Sequence, residues 1–243
     1  MKTAFFNDKN AALAYLLEKY QISGTGKING NCLETGGRNI PLLPWRQERR
    51  FTELKNLIFN RTLEDVSTFR FASLSAGAES LDELIFQELD LCEWLGASPV
   101  SRLFAVFSGD LAVNIIAKLE NGISASVECS AMLPKDAAPL SRHEIIARRG
   151  VASDQVVDVQ VPQSSIYTYT AEKTECFTDV DAEIFGLSQS DVHLVRAAFK
   201  VLSVPETAGE WMAQDSHIKE LVNEAKQSEA NSKPSISKAG RKS

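Results

Sequence analysis

Between Asp8 and Tyr20, apolar residues recur at Leu13, Leu16, Leu17 and Tyr20, the spacing of one helix face. Ser23-Gly24 marks the end of that helix. Residues 27–33 read as a short strand, and residues 34–44, rich in Gly and Pro, read as loop. A second helix is predicted over 47–60, with Phe51, Leu54, Leu57 and Ile58 on one side. Residues 66–74 look like a strand that carries Phe69 and Phe71 on one face. The strongest helix signal covers 80–96. Ser80 and Glu83 form a capping box, in which each side chain satisfies an orphan backbone N–H of the first turn. Gly96 takes the position after the last turn. Leu81, Leu84, Ile85, Leu91, Cys92 and Leu95 make the buried stripe, and Glu83, Gln87, Asp90 and Trp94 fall on an adjacent one.

The period then changes from 3.6 to 2. Val113, Ile115, Ala117 and Leu119 alternate with Asn114, Ile116 and Lys118. Asn121-Gly122 is a hairpin turn signal in which both positions must tolerate positive φ. Ile123, Ala125, Val127 and Cys129 alternate with Ser124, Ser126, Glu128 and Ser130. Further strands are expected at 143–149, 155–161 and 165–170, then helices at 188–202 and 207–225, the latter opened by a capping box of Thr207 and Glu210. This order predicts an α+β fold: an open, mostly antiparallel β-sheet with helices on one face. The chain divides into an N-terminal helix and linker (1–45), an α+β domain (46–226) and a basic tail (227–243) expected to be disordered, since it holds almost nothing apolar.

Composition narrows the classes. The 26 basic and 32 acidic residues give a net charge of −6, which argues against nucleic acid as a partner. No window is long and apolar enough for a signal peptide or a membrane span, so a cytoplasmic protein is expected. Cys32, Cys92, Cys129 and Cys176 are widely separated, without metal-ligand or redox spacing, and read as buried apolar residues in a reducing compartment. No metal site is expected. His193 and His217 read as surface or satisfied histidines, and Arg46, Arg49 and Arg50 as an ion-paired helix start. No spacing links Asp90 to His143 or His193 as an acid–base pair. The hairpin serines have no base beside them in sequence and are not catalytic candidates.

Four segments carry a family resemblance: residues 10–20, residues 49–58, the helix S-L-D-E-L-I-F-Q-E-L-D-L-C-E-W-L-G at 80–96, and the hairpin A-K-L-E-N-G-I at 117–123. In order and spacing they resemble the C-terminal half of the glucose–fructose oxidoreductase / inositol dehydrogenase (Gfo/Idh/MocA) family. The helix at 80–96 is similar to that family's D-x-x-x-H-x-x-D-x-x-x-W-L-G pattern. The resemblance implies an oxidoreductase-like fold that follows a dinucleotide-binding domain, with residues 1–45 as a remnant of it. The departures are as informative. No strand–glycine–helix fingerprint is present, so no cofactor is expected. The family's Glu-Lys-Pro lysine has no counterpart, its catalytic His falls on Gln87, its first acid becomes Glu83, and its later Asp is kept as Asp90. Glutamine does not titrate and cannot serve as general base.

Three functions fit. The first is a non-catalytic, dehydrogenase-derived protein that acts by association, as a homo-oligomer, a dimer by default, or a heteromer with a full-length dehydrogenase. Its interface would be the small-residue strand face of Ile116, Ser124, Ser126, Glu128 and Ser130. The second is a sugar- or cyclitol-binding module that keeps a residual cleft at Glu83, Gln87 and Asp90. The third is an oxidoreductase subunit that borrows a cofactor domain from a partner. The missing Lys and His favour the first.

Overall fold

The computed structural model describes Phe6 and residues 8–77, 81–154, 165–170, 174–178, 181–231 and 233–236. Its elements run α1 (Lys9–Lys19), β1 (Lys27–Asn29), β2 (Cys32–Thr35), β3 (Arg38–Pro41), a 3-10 turn (Pro44–Gln47), α2 (Arg49–Phe59), β4 (Val66–Leu74) and α3 (Leu81–Gly96). They continue with β5 (Val100–Ser108), β6 (Ala112–Leu119), β7 (Ser124–Ser130), β8 (Leu140–Ala147), β9 (Gly150–Ser153), β10 (Ser165–Thr170) and β11 (Thr174–Thr178). The chain closes with α4 (Asp181–Phe185), α5 (Gln189–Ser203), α6 (Glu206–Ala230) and β12 (Ser235–Ile236). This is the expected α+β architecture.

The elements form two units. The first joins Met1–Thr52 to Asp179–Ser216, and the second joins Glu53–Thr178 to His217–Ser243. Two of the boundaries between these units fall within α2 and α6. In the first unit, Asp8 caps α1 by accepting from the backbone N–H groups of Asn10 and Ala11. The Asn10 side chain then pins β1, accepting from Ile28 N and donating to Ile28 O. The sheet here is an antiparallel meander, β1-β2-β3. Residues 34–44, read as loop, hold β3 and a hairpin turn. Gly36 and Gly37, at φ 54° and 72°, supply the two left-handed positions that such a turn requires.

Among the described residues, the second unit holds a nine-stranded sheet in the order β11-β10-β9-β8-β4-β7-β6-β5-β12. All its pairings are antiparallel except β4 with β7. Phe69, Phe71, Ile115, Ala117, Ala125, Val127 and Ile145 are buried along one face, which α3 covers with Leu84, Ile85, Cys92 and Leu95. Four expectations change. The β6–β7 hairpin turns through three residues, and of Asn121 and Gly122 only Gly122 has positive φ. Gly96 is the last residue of α3, and the left-handed position after it belongs to Ala97, at φ 47°. Glu206 opens α6, so Thr207 lies inside the first turn rather than capping it. The segment after Gln227 is not wholly disordered: α6 runs to Ala230, and Ser235–Ile236 pairs with β5. Ser80, the expected strand at 155–161 and the Cys176 side chain lie outside the described residues.

Candidate functional site

The side chains that could carry function belong to α3 and to the two faces of the large sheet. The stripe Glu83, Gln87, Asp90 runs from solvent into the core. Glu83 is exposed, Gln87 is half-buried, and Asp90 is fully buried. One turn on, the Lys55 ammonium sits 4.1 Å from the centre of the Trp94 ring. The three acid and amide groups thus do not share one solvent-lined wall. A cavity of about 560 Å³ does open at the other end of α3. It is lined by Arg61, Asp65, Gly96, Asn121, Ile123 and Arg148, among others, and by none of those three.

The core-facing side of α3 carries a cluster that the sequence reading missed. Glu88 follows Leu84 by four positions, so it projects from the apolar stripe towards the sheet. Its Oε2 lies 3.0 Å from Nε2 of His143 on β8. On the other side of the ring, Nδ1 lies 2.6 Å from Oδ2 of Asp154, just beyond β9. Asp154 Oδ1 also accepts from the His143 backbone N–H, at 2.7 Å. His143 and Glu88 have no solvent exposure, and Asp154 has 5%. Phe71 meets the ring edge-on at 5.0 Å between centroids.

Burial alone disfavours charge on this imidazole. The Asp154 and Glu88 carboxylates outweigh it and carry the His143 pKa up to about 9. Both ring nitrogens therefore donate as an imidazolium. A ring in that state has no lone pair with which to accept a proton. Its two contacts tie the β8–β9 hairpin to α3. The nearby thiols are inert too. Burial, together with the Glu88 carboxylate, pushes Cys92 and Cys129 well above the ordinary thiol range. Cys32 is half-buried and free.

His217 is a second satisfied histidine. It bonds Glu93 at 2.9 Å, and that bond raises its pKa. His193, in the first unit, is buried with Nδ1 3.8 Å from Glu48. Arg50 pairs with Glu48 at 2.7 Å and lies over the Phe51 ring, as an ion-paired helix start should.

The outer face of the sheet has a different chemistry. Ser124, Ser126 and Ser130 are half-buried, and Glu128 is exposed. Ile116 is 54% exposed. Ladder register sets Phe104, Ile116, Ser126, Arg70 and Glu144 in one row across β5, β6, β7, β4 and β8. Arg70 and Glu144 pair within the row at 3.3 Å. Lys118 donates to Ser124 Oγ from the next strand. The surface is small, mixed in charge and studded with single apolar side chains, including Val106 and Met132.

No family model matches the sequence, and no protein of described function matches it at the sequence level. Solved structures do share its fold. Levoglucosan dehydrogenase in complex with NADH and levoglucosan superposes with a TM-score of 0.66 at 12% identity, over 81% of this chain and 66% of that one. An oxidoreductase from Agrobacterium radiobacter, in complex with NAD+, L-tartaric acid and magnesium, gives 0.65 at 13% identity, over 79% and 63%. A super-repressor mutant of Gal80p from Saccharomyces cerevisiae gives 0.60 at 12% identity, over 83% and 65%. This chain thus spans 63–66% of the length of those proteins. One fold serves both dehydrogenases and a protein named as a repressor, so the fold alone does not imply nicotinamide chemistry.

Proposed function

We infer that the protein is a non-catalytic relative of the Gfo/Idh/MocA oxidoreductases that acts by association, pairing through the outer face of its large sheet. The observation that carries this reading is the row Ile116–Ser126–Arg70–Glu144. Its side chains are short at the centre, so two such sheets can approach to about 10 Å, the usual face-to-face spacing. Arg70 and Glu144 pair with each other within the row, so neither brings an uncompensated charge to the partner sheet. Ile116 and Val106, both more than half exposed, lose water on pairing. Support for the non-catalytic half of the reading comes from α3. Gln87 stands where the resembling family has its histidine, and the one histidine of the core cluster is locked between two carboxylates. The buried free thiols of Cys92 and Cys129 suit a reducing cytoplasm. The partner is a second copy or a full-length dehydrogenase that presents a like face.

Light scattering at tens of micromolar tests the self-pairing form. The wild-type chain is expected to be a dimer. Ser126→Arg places two like charges beside the axis and should give a monomer whose circular dichroism spectrum matches that of the wild type. A monomeric wild type, or a dimer that survives Ser126→Arg, overturns the reading.

A further inference from the structure

An edge strand normally bares a row of backbone N–H and C=O groups to solvent, and β5 would be such a strand. Its sequence makes the exposure hazardous. Leu103-Phe104-Ala105-Val106-Phe107 is uncharged, apolar and free of Gly and Pro, the composition that adds strands most readily. The edge is covered instead by the end of the chain. Ser235 and Ile236 of β12 pair with Leu103 and Arg102. Beyond them the cover changes from strand to side chain. Ala105 N donates to Ser228 Oγ at 3.0 Å, and Phe107 N donates to Glu229 Oε1 at 2.7 Å. Alternation of the ladder turns the N–H groups of Leu103, Ala105 and Phe107 to this same edge. Each therefore meets the segment 228–236, two of them through side chains of the last turn of α6 that stand in for a strand.

Among the described residues, the cover is anchored by the two β12 pairs and by the side chains of Ser228, Glu229 and Ser235. Ser228 is buried and its hydroxyl donates to Ala225 O at 2.7 Å, while the Ser235 hydroxyl donates to Glu224 at 3.4 Å. Ala230, Asn231, Lys233 and Pro234 are exposed, so these four residues between the two anchors bury little that would resist lifting.

We propose that segment 228–236 is a displaceable strap that occupies in cis a strand-addition edge on β5, and that lifting it admits the β5 edge of a second copy. A second copy is the occupant because antiparallel pairing of β5 with itself about a two-fold axis offers the same N–H row and the same apolar run to both sides. This contact joins edge to edge rather than face to face; Val106 borders both surfaces, so the test is made in a Ser126→Arg background, which removes the face pairing.

In that background, and at a dilution that keeps the chain monomeric, the full chain with Ser228→Ala and Glu229→Ala should exchange the Ala105 and Phe107 amides at least tenfold faster, with Ile115 and Val127 unchanged. It should also form a concentration-dependent dimer, seen by light scattering, that adding Val106→Lys abolishes. Truncation after Gln227 should strengthen both effects. Unchanged exchange at Ala105 and Phe107 overturns the strap. So does a chain that exchanges fast there yet stays monomeric at tens of micromolar, or a dimer that tolerates Val106→Lys. If truncation also deprotects Ile115, the chain has unfolded, and the full-length variant alone decides.

Discussion

The charge on His143 is tied to the folded state. Its pKa of about 9 lies above the ordinary histidine value of 6.5, because two carboxylates flank a ring with no access to water. A pKa raised on folding stabilises fully below the unfolded value and loses its contribution as pH rises through the folded one. The wild-type melting temperature should therefore fall between about pH 6.5 and 9.5, with of order 3 kcal/mol of stability at stake. In Glu88→Gln one of the two carboxylates is gone, and the decline should move to lower pH. His143→Phe leaves two buried carboxylates without their cation and should cost about 3–5 kcal/mol in urea unfolding. A wild-type melting temperature that holds level or rises over this window would show that the ring is neutral in the fold. The cluster had a legible signal at this scale. Glu88 sits within an apolar helical stripe, and His143 shares inward parity with Ile145, so each needed a buried partner. The identity of that partner was not legible, because positions 88, 143 and 154 meet only through the sheet.

The C-terminus of α3 turns on the order of two small residues. A Cβ on Gly96 would lie 2.4 Å from Leu119 Cδ2 and 3.4 Å from Phe69, both buried side chains of the sheet below. Gly96 is thus required for close approach, not for a left-handed turn. The left-handed backbone falls one residue later, on Ala97, where a Cβ is strained by about 1 kcal/mol or more. Gly96→Ala should destabilise by about 1–3 kcal/mol through overpacking. Ala97→Gly should stabilise by up to about 1 kcal/mol, since relief of strain offsets the added freedom of the unfolded chain. Denaturant unfolding of both variants checks the pair, and a neutral Gly96→Ala would mean that Leu119 has room to move. Elements with strong periodicity, such as α3, β4 and the β6–β7 pair, were legible to within a residue or two. The β2–β3 hairpin was not, because two glycines read equally as loop or as left-handed turn. The end of the chain was misread for a related reason. Ser228, Glu229 and β12 are held by backbone amides of β5, and side-chain hydrophobicity carries no record of that.

At the scale of the whole molecule, the pairings that build the large sheet join segments far apart in sequence. The parallel match of β4 with β7, and the return of β12 to β5, are set by closure of the core rather than by local pattern. The small sheet bears on a different matter. A dinucleotide site of the doubly wound kind needs parallel strands joined by crossover helices, and a glycine turn that delivers the pyrophosphate to a helix N-terminus. Here β1, β2 and β3 are antiparallel and follow one another through short turns. Gly30, Gly36 and Gly37 sit in those turns with positive φ, and each leads into a strand rather than a helix. The described residues thus hold no such unit. Calorimetric titration of the 243-residue chain with NAD(H) and NADP(H) should show no binding in the micromolar range. Gln87→His restores a titratable ring at the position where the resembling family has one, but supplies neither a cofactor cradle nor a lysine. That variant should leave polyol-dependent nicotinamide reduction at background. Micromolar binding by the wild type would place a cofactor site outside this logic, and measurable reduction by the variant would overturn the non-catalytic reading.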